Sequence, residues 1–166
     1  MKIEDDFLDQ EQFDTIIKRM EEPIFHWSYN DNIDNESDVD KFQFTHLFYL
    51  SDRPGSNAIQ IVSPLLASLK PISIYRIKAN LLTRTSKIVE NEFHTDMGVL
   101  SEEKQKQWTT SIFYVNTNNG YTKFEDGTKV ESVANRLVTF PTNIKHTGTS
   151  CTDEKKRIVI NFNYYI

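Results

Sequence analysis

From residue 72 onward the chain is a succession of short runs rich in β-branched and aromatic residues, and this pattern admits few folds. The runs cover residues 72–83, 109–116, 121–124, 128–133, 136–140 and 157–165, with Glu125-Asp126-Gly127 as a plain turn signal between two of them. Two further aromatic-rich runs, 24–29 and 42–50, precede them. Several strands of this length at regular spacing predict a sandwich or a barrel. The helical signal is confined to the first 70 residues. Phe13, Ile16, Ile17 and Met20 recur at i, i+3, i+4 and i+7, and Pro23 marks the stop. A second short helix is predicted from Ser63 as its cap, with Pro64 as its first residue and Pro71 as its end. One or two helices leading eight or so strands predict a mainly β jelly roll whose helices brace one sheet. With no repeat or linker in view, residues 1–166 read as one domain, 1–70 as the brace and 71–166 as the core.

The net charge of −5 argues against non-specific nucleic-acid binding, which depends on neutralising phosphates with Lys and Arg. The acidic stretch at residues 31–40 reads as a solvated loop. A lone cysteine, Cys151, excludes an intramolecular disulfide and suits a reducing compartment. No apolar run approaches the roughly 18 residues of a membrane span, and the N-terminus lacks the basic start and apolar stretch of a signal peptide. A cytoplasmic protein is the expectation.

Chemistry enters at Glu92-Phe93-His94-Thr95-Asp96. On an extended strand, residues i and i+2 share a face, so His94 and Asp96 project together. By itself the pair is a weak signal that four histidines and twelve aspartates can produce by chance. His146, the only downstream histidine, would add a third leg. Two imidazoles and one carboxylate leave open positions on iron(II), as oxygen activation requires.

Downstream, Arg157-Ile158-Val159-Ile160-Asn161-Phe162-Asn163 alternates cleanly. Ile158, Ile160 and Phe162 form an apolar face; Arg157, Val159, Asn161 and Asn163 form the other. Such a face suits an ordinary sheet surface and equally a polar cavity in which Arg157 grips a carboxylate in fork geometry. Thr110, Ile112, Tyr114 and Asn116 share a face of an earlier strand. Tyr114 there is either plain core or a hydroxyl aimed at the same carboxylate. His26 and His46 lie in aromatic strands with no carboxylate two residues away, and read as hydrogen-bonded core or sheet-face residues. Cys151 has no histidine beside it and reads as inert.

The order His94-x-Asp96, His146, Arg157 resembles that of the iron(II)/2-oxoglutarate dioxygenases, in particular their prolyl-hydroxylase-like branch of small phage and bacterial enzymes. The likeness covers roughly residues 72–166. Ser111-Ile112-Phe113-Tyr114-Val115-Asn116 is similar to a strand of the prolyl hydroxylases, Gly120-Tyr121-Thr122-Lys123-Phe124 to their glycine hairpin, and Asn135 to Pro141 to the strand leading to the distal histidine.

The resemblance implies a double-stranded β-helix and a metal held by His94, Asp96 and His146. It implies iron(II), 2-oxoglutarate and dioxygen as metal and co-substrates, with ascorbate as a reductant. Arg157 and Tyr114 would hold the distal carboxylate, and a residue of the strand before the motif, Asn80 or Tyr75, would complete that pocket. The implied reaction is hydroxylation of a C–H bond, of a peptidyl proline or another amino-acid side chain, with release of succinate and carbon dioxide. Two departures stand out. Tyr121 replaces the hairpin's second glycine and is expected to reshape the cleft. Arg157 falls eleven residues after His146, later than the pattern's usual spacing. Residues 96–107 would be either a lid or a solvated loop. The rival reading is a cupin-like jelly roll that binds a metal or ligand without oxidation. Action on nucleic-acid bases is disfavoured by the acidic charge and the missing basic–aromatic groove.

Overall fold

The structure is a computed structural model that describes residues 1–33 and 41–166. Most of the acidic stretch, residues 34–40, therefore lies outside the described residues. Eleven strands are present among the described residues: β1 (Lys2–Glu4), β2 (Ser28–Asn30), β3 (Gln43–Leu50), β4 (Arg53–Pro54), β5 (Ser73–Thr83), β6 (Thr109–Tyr114), β7 (Tyr121–Phe124), β8 (Lys129–Glu131), β9 (Arg136–Pro141), β10 (His146–Gly148) and β11 (Lys156–Tyr165). Helices α1 (Gln10–Glu21), α2 (Ser63–Leu69) and the single turn α3 (Glu102–Gln105) complete it, with a 3₁₀ helix at Asn57–Val62. The large sheet runs β1-β9-β6-β11-β5-β3-β2, with β4 beside β3; the small one runs β10-β7-β8. Every pairing is antiparallel. This is the expected jelly roll. No helix among the described residues is long and apolar enough to cross a membrane.

Alternation along β11 places two cores. Ile158, Ile160 and Phe162 oppose Leu81, Ala79 and Ile77 of β5 and pack under α1 and α2 through Phe13, Ile16, Met20 and Leu65. Truncating any one of these large buried side chains to alanine would cost about 2–5 kcal/mol. The other face of the same strands looks between the two sheets, where Ile112, Tyr114, Phe124, Val138, Phe140 and Val159 make a smaller core. α1 starts at Asp9, whose carboxylate accepts from the Gln12 amide at 2.9 Å, and stops before Pro23.

Three local expectations change and one strand is added. The run at 24–29 pairs only from Ser28, because Phe25 turns inward through a bond from its amide to Glu22 O and packs against Phe48. Ser63 does not cap α2; the 3₁₀ helix, capped by Ser56, runs straight into it, and the Ser63 hydroxyl donates to Gln60 O. β1 joins the large sheet beside β9, held by Asn135, whose side chain accepts from Leu8 N at 3.0 Å and donates to Leu8 O at 2.8 Å. Finally, the His94 segment is not a full strand. His94 forms one isolated bridge, and Asp96 enters a turn.

Candidate metal centre

That single bridge builds the site. His94 and His146 are direct antiparallel partners, each donating its amide to the other's carbonyl at 3.0 Å, so their rings leave the backbone side by side with centroids 4.9 Å apart. Asp96, two residues on, turns its carboxylate back to them. One ligand atom from each of His94, Asp96 and His146 lies within 4.8 Å of the others, with His94 Nε2 3.9 Å from Asp96 Oδ1. His94 Nδ1 meets Glu92 O at 3.2 Å and His146 Nδ1 meets Ile144 O at 3.3 Å. A carbonyl only accepts, so each Nδ1 carries the proton and each Nε2 lone pair points to the shared centre. The donor set and its spacing fit a divalent metal of the iron, zinc or nickel kind.

The carboxylate is fixed from behind by residues the sequence did not flag. Arg76 Nη2 donates to Asp96 Oδ1 at 3.0 Å, and Asn163 Nδ2 donates to Asp96 Oδ2 at 2.8 Å. Arg76 Nε also donates to Asn163 Oδ1 at 3.0 Å, which locks the clamp. These two are opposed in register on β5 and β11. Burial of Asp96 opposes its ionisation, but His146, Arg76, His94 and the Asn163 bond outweigh it and lower the pKa to about 2. Burial pushes the His146 pKa down, which favours the neutral, metal-binding imidazole.

Behind the triad lies a cavity lined from β5 by Lys78, Asn80 and Leu82, from β6 by Ile112 and from β11 by Arg157, Val159 and Asn161, with Thr122 of β7. Arg157 is only 3% exposed. Its Nε donates to Ser132 Oγ at 2.7 Å and its Nη2 to Thr122 Oγ1 at 3.3 Å, and no carboxylate among the described residues lies within ion-pair reach. Burial accordingly lowers its pKa. Gly120 leaves room for the guanidinium's stem, since a Cβ there would meet Arg157 Cδ and Ser150 O at 2.7 Å.

His94, Asp96, His146, Arg157 and Asn80 thus face one cavity. Tyr114 is fully buried, and its hydroxyl donates to Thr122 Oγ1 at 2.8 Å, so it stands behind Thr122. Tyr75 packs edge-on to Trp108 and does not line the cavity. Tyr121 does not line it either; its hydroxyl donates to Glu90 at 2.6 Å and ties the segment before His94 to the small sheet. Thr122 was missed, although β7 alternates half-buried with buried positions and puts Thr122 and Phe124 inward. Beyond Asp96, Met97 and Gln105 are buried and Gln105 Nε2 donates to Leu100 O at 2.8 Å, which anchors residues 97–107. His46 bonds His26 O and Ser56 Oγ and stacks on Phe25, as a core histidine would. His26 is exposed, and Cys151 is buried with its thiol donating to Glu154 O.

No protein-family model matches the chain, and no curated protein matches its sequence. Solved structures do match. A prolyl hydroxylase from Trichoplax adhaerens, in complex with a hypoxia inducible factor oxygen degradation domain peptide fragment, aligns over 99% of this chain and 82% of its own at 13% identity, TM-score 0.65. SnoN, a non-heme α-ketoglutarate-dependent epimerase from nogalamycin biosynthesis, aligns over 98% and 76% at 11% identity, TM-score 0.72. A prolyl-4-hydroxylase from Pseudomonas putida aligns over 99% and 92% at 11% identity, TM-score 0.59. The chain has the fold of these enzymes over nearly its whole length.

Proposed function

We propose that the protein is an iron(II)- and 2-oxoglutarate-dependent oxygenase that hydroxylates a C–H bond of an amino-acid side chain, in a peptide or a smaller molecule. The observation that carries this reading is the buried Arg157 guanidinium in the cavity of a His₂Asp triad, with no acid among the described residues beside it. A buried charge without a partner costs several kcal/mol, and a bound dicarboxylate removes that cost. The prolyl hydroxylases and the epimerase that share the fold support the same reaction class.

In this reading His94, Asp96 and His146 hold the iron, and Arg157 receives the distal carboxylate of 2-oxoglutarate in fork geometry. Thr122 assists. Its oxygen already accepts from Tyr114 and Arg157, so its own proton is free to donate to that carboxylate. Tyr114 acts through Thr122, and Asn80 flanks the co-substrate from β5. When bound, iron and 2-oxoglutarate supply the oxidation, with dioxygen consumed and succinate and carbon dioxide released. The protein's part is to keep Asp96 ionised, to aim both imidazoles, and to line the cavity with Ile112, Leu82 and Val159 so that water is excluded.

Calorimetric titration of 2-oxoglutarate into the Fe(II)- or Zn(II)-loaded protein, followed by succinate detection in air, tests the assignment. The wild type is expected to bind co-substrate and release succinate. Arg157→Met should weaken co-substrate binding at least about a hundredfold, the value of a lost charged hydrogen-bond pair, while leaving metal affinity and melting temperature intact. Metal binding with no 2-oxoglutarate binding to the wild type would refute the oxygenase and leave the cupin-like reading.

A further inference from the structure

The cavity of the triad has a neighbour. A second hollow of about 130 Å³ adjoins it, and Ile33, Leu82 and Asn91, from three separate segments, line both. Ile33 is held at this boundary by Gln43, whose Nε2 donates to Ile33 O at 2.9 Å. The outer hollow is walled mostly by apolar side chains, those of Ile33, Phe42, Leu82 and Val89. Two hydroxyls in its wall, Thr85 and Ser150, have no proton to offer a ligand. Thr85 Oγ1 gives its proton to Lys87 O at 2.7 Å, so the Ser150 hydroxyl donates to Thr85 Oγ1 at 2.6 Å. Ser150 Oγ also accepts from Val89 N at 2.9 Å, which fixes Val89 in the wall. Lys41, at the same hollow, already has a partner.

The apolar surface continues outward. Phe42 is 42% exposed, and Tyr29, with its ring 5.8 Å away, is 57% exposed. A single exposed aromatic needs no explanation, but an aromatic pair that extends an apolar hollow beside a metal triad marks a contact surface. At about 80 Å³ the inner cavity is the smaller of the two. A co-substrate that spans it from the metal to Arg157 leaves the outer hollow as the place for a second molecule. A charged group there would lose its water against walls that return few hydrogen bonds, whereas an apolar group gains by the same loss. An apolar cavity of about 150 Å³ takes benzene, so a hollow of about 130 Å³ suits a group of about four to six carbons.

We infer that the second substrate is recognised by an apolar side chain of about leucine size, seated in the outer hollow against Ile33, Phe42 and Val89. The inference rests on the oxygenase reading for what fills the inner cavity.

The test is an NMR titration of the Zn(II)- and 2-oxoglutarate-loaded protein, ¹³C-labelled at its methyl groups, with the Val89 and Ile33 signals identified by their loss in Val89→Ser and Ile33→Thr. N-acetylleucinamide is expected to shift both signals saturably. It should bind at least about tenfold more tightly than N-acetylglycinamide, since each buried methylene is worth up to about fourfold. The corresponding glutamate and lysine compounds should bind no more tightly than the glycine one. Phe42→Ser and Val89→Ser should each cut the leucine preference by about threefold or more, with affinity for the glycine compound, Zn(II) and 2-oxoglutarate unchanged. A leucine preference below about twofold, a preference for either charged side chain, or a preference that both variants retain would overturn the inference. So would tighter leucine binding by Val39→Ser, which would give the hollow to the chain's own segment, or a dimer in sedimentation that Phe42→Ser dissolves, which would give it to a second copy. Failure of the oxygenase reading shows separately, as no calorimetric response to 2-oxoglutarate before any amide is added; the hollow is then probed with Zn(II) alone.

Discussion

Asn163→Leu isolates what the clamp behind Asp96 contributes. Asn163 is completely buried and spends both ends of its amide: Nδ2 on Asp96 Oδ2 at 2.8 Å and Thr110 Oγ1 at 3.1 Å, Oδ1 on Arg76 Nε at 3.0 Å. Leucine keeps the volume and removes all three bonds. The bond to the carboxylate is charge-assisted and worth about 1.5–3 kcal/mol. At about 1.4 kcal/mol per tenfold, its loss predicts metal binding weaker by roughly ten- to a hundredfold, in line with the usual effect of removing a partner of a metal ligand. Arg76 still holds Oδ1, so the ligand should loosen without leaving the site. The assay is competition between protein and a chelator of known affinity for Zn(II) or Fe(II), with circular dichroism to confirm that the variant is folded. A folded variant that binds metal within about twofold of wild type, a difference of about 0.4 kcal/mol, would refute the reasoning. Asp96 would then be set by Arg76 and the backbone turn alone.

Gly120→Ala should raise the 2-oxoglutarate requirement at least about tenfold with metal affinity unchanged, because the new Cβ meets Arg157 Cδ and the unyielding Ser150 carbonyl at 2.7 Å; steady-state succinate release against co-substrate concentration measures it. Asn135 sits at φ 62° and makes two side-chain bonds to the Leu8 backbone, so Asn135→Ala should lower unfolding free energy by about 2–4 kcal/mol in urea. Asn135→Gly keeps the backbone freedom and loses only the bonds, so it should cost about 1 kcal/mol less than the alanine variant.

The strand run and its alternation carried the fold because period two is written locally. The faces expected for residues 157–163 are the faces observed, with Ile158, Ile160 and Phe162 under the helices and Arg157, Val159 and Asn161 lining the cavity. The triad was readable for a different reason than the one first available. His94 and Asp96 do not share a face of a regular strand; they converge because His94 pairs with His146 and Asp96 turns back. What stayed hidden depends on register between distant strands. Arg76 lies 87 residues from Asn163, and nothing in either segment announces that β5 and β11 oppose them. β1 and β10 are three residues each, too short for periodicity to register, and exist only because β9 and β7 offer them an edge. The segment Asn57–Val62, rich in β-branched residues, became helical because Ser56 caps it and α2 follows without a break.

The two charged ends of the cavity are treated in opposite ways, and the difference indicates where ligand binding is spent. Asp96 has two protein donors, one of them the charged Arg76 guanidinium, so the anion is ionised and placed before any metal arrives. Arg157 has hydroxyl partners but no anion among the described residues, so its charge is placed without one of them to compensate it. A site that only stored metal would gain nothing from the second arrangement, and exchanging the arginine for an apolar side chain of similar size would cost it little or even stabilise it. Retaining a buried guanidinium with no anion among the described residues suits a site that an anion enters and leaves, since the free energy withheld from folding is returned as affinity for that anion.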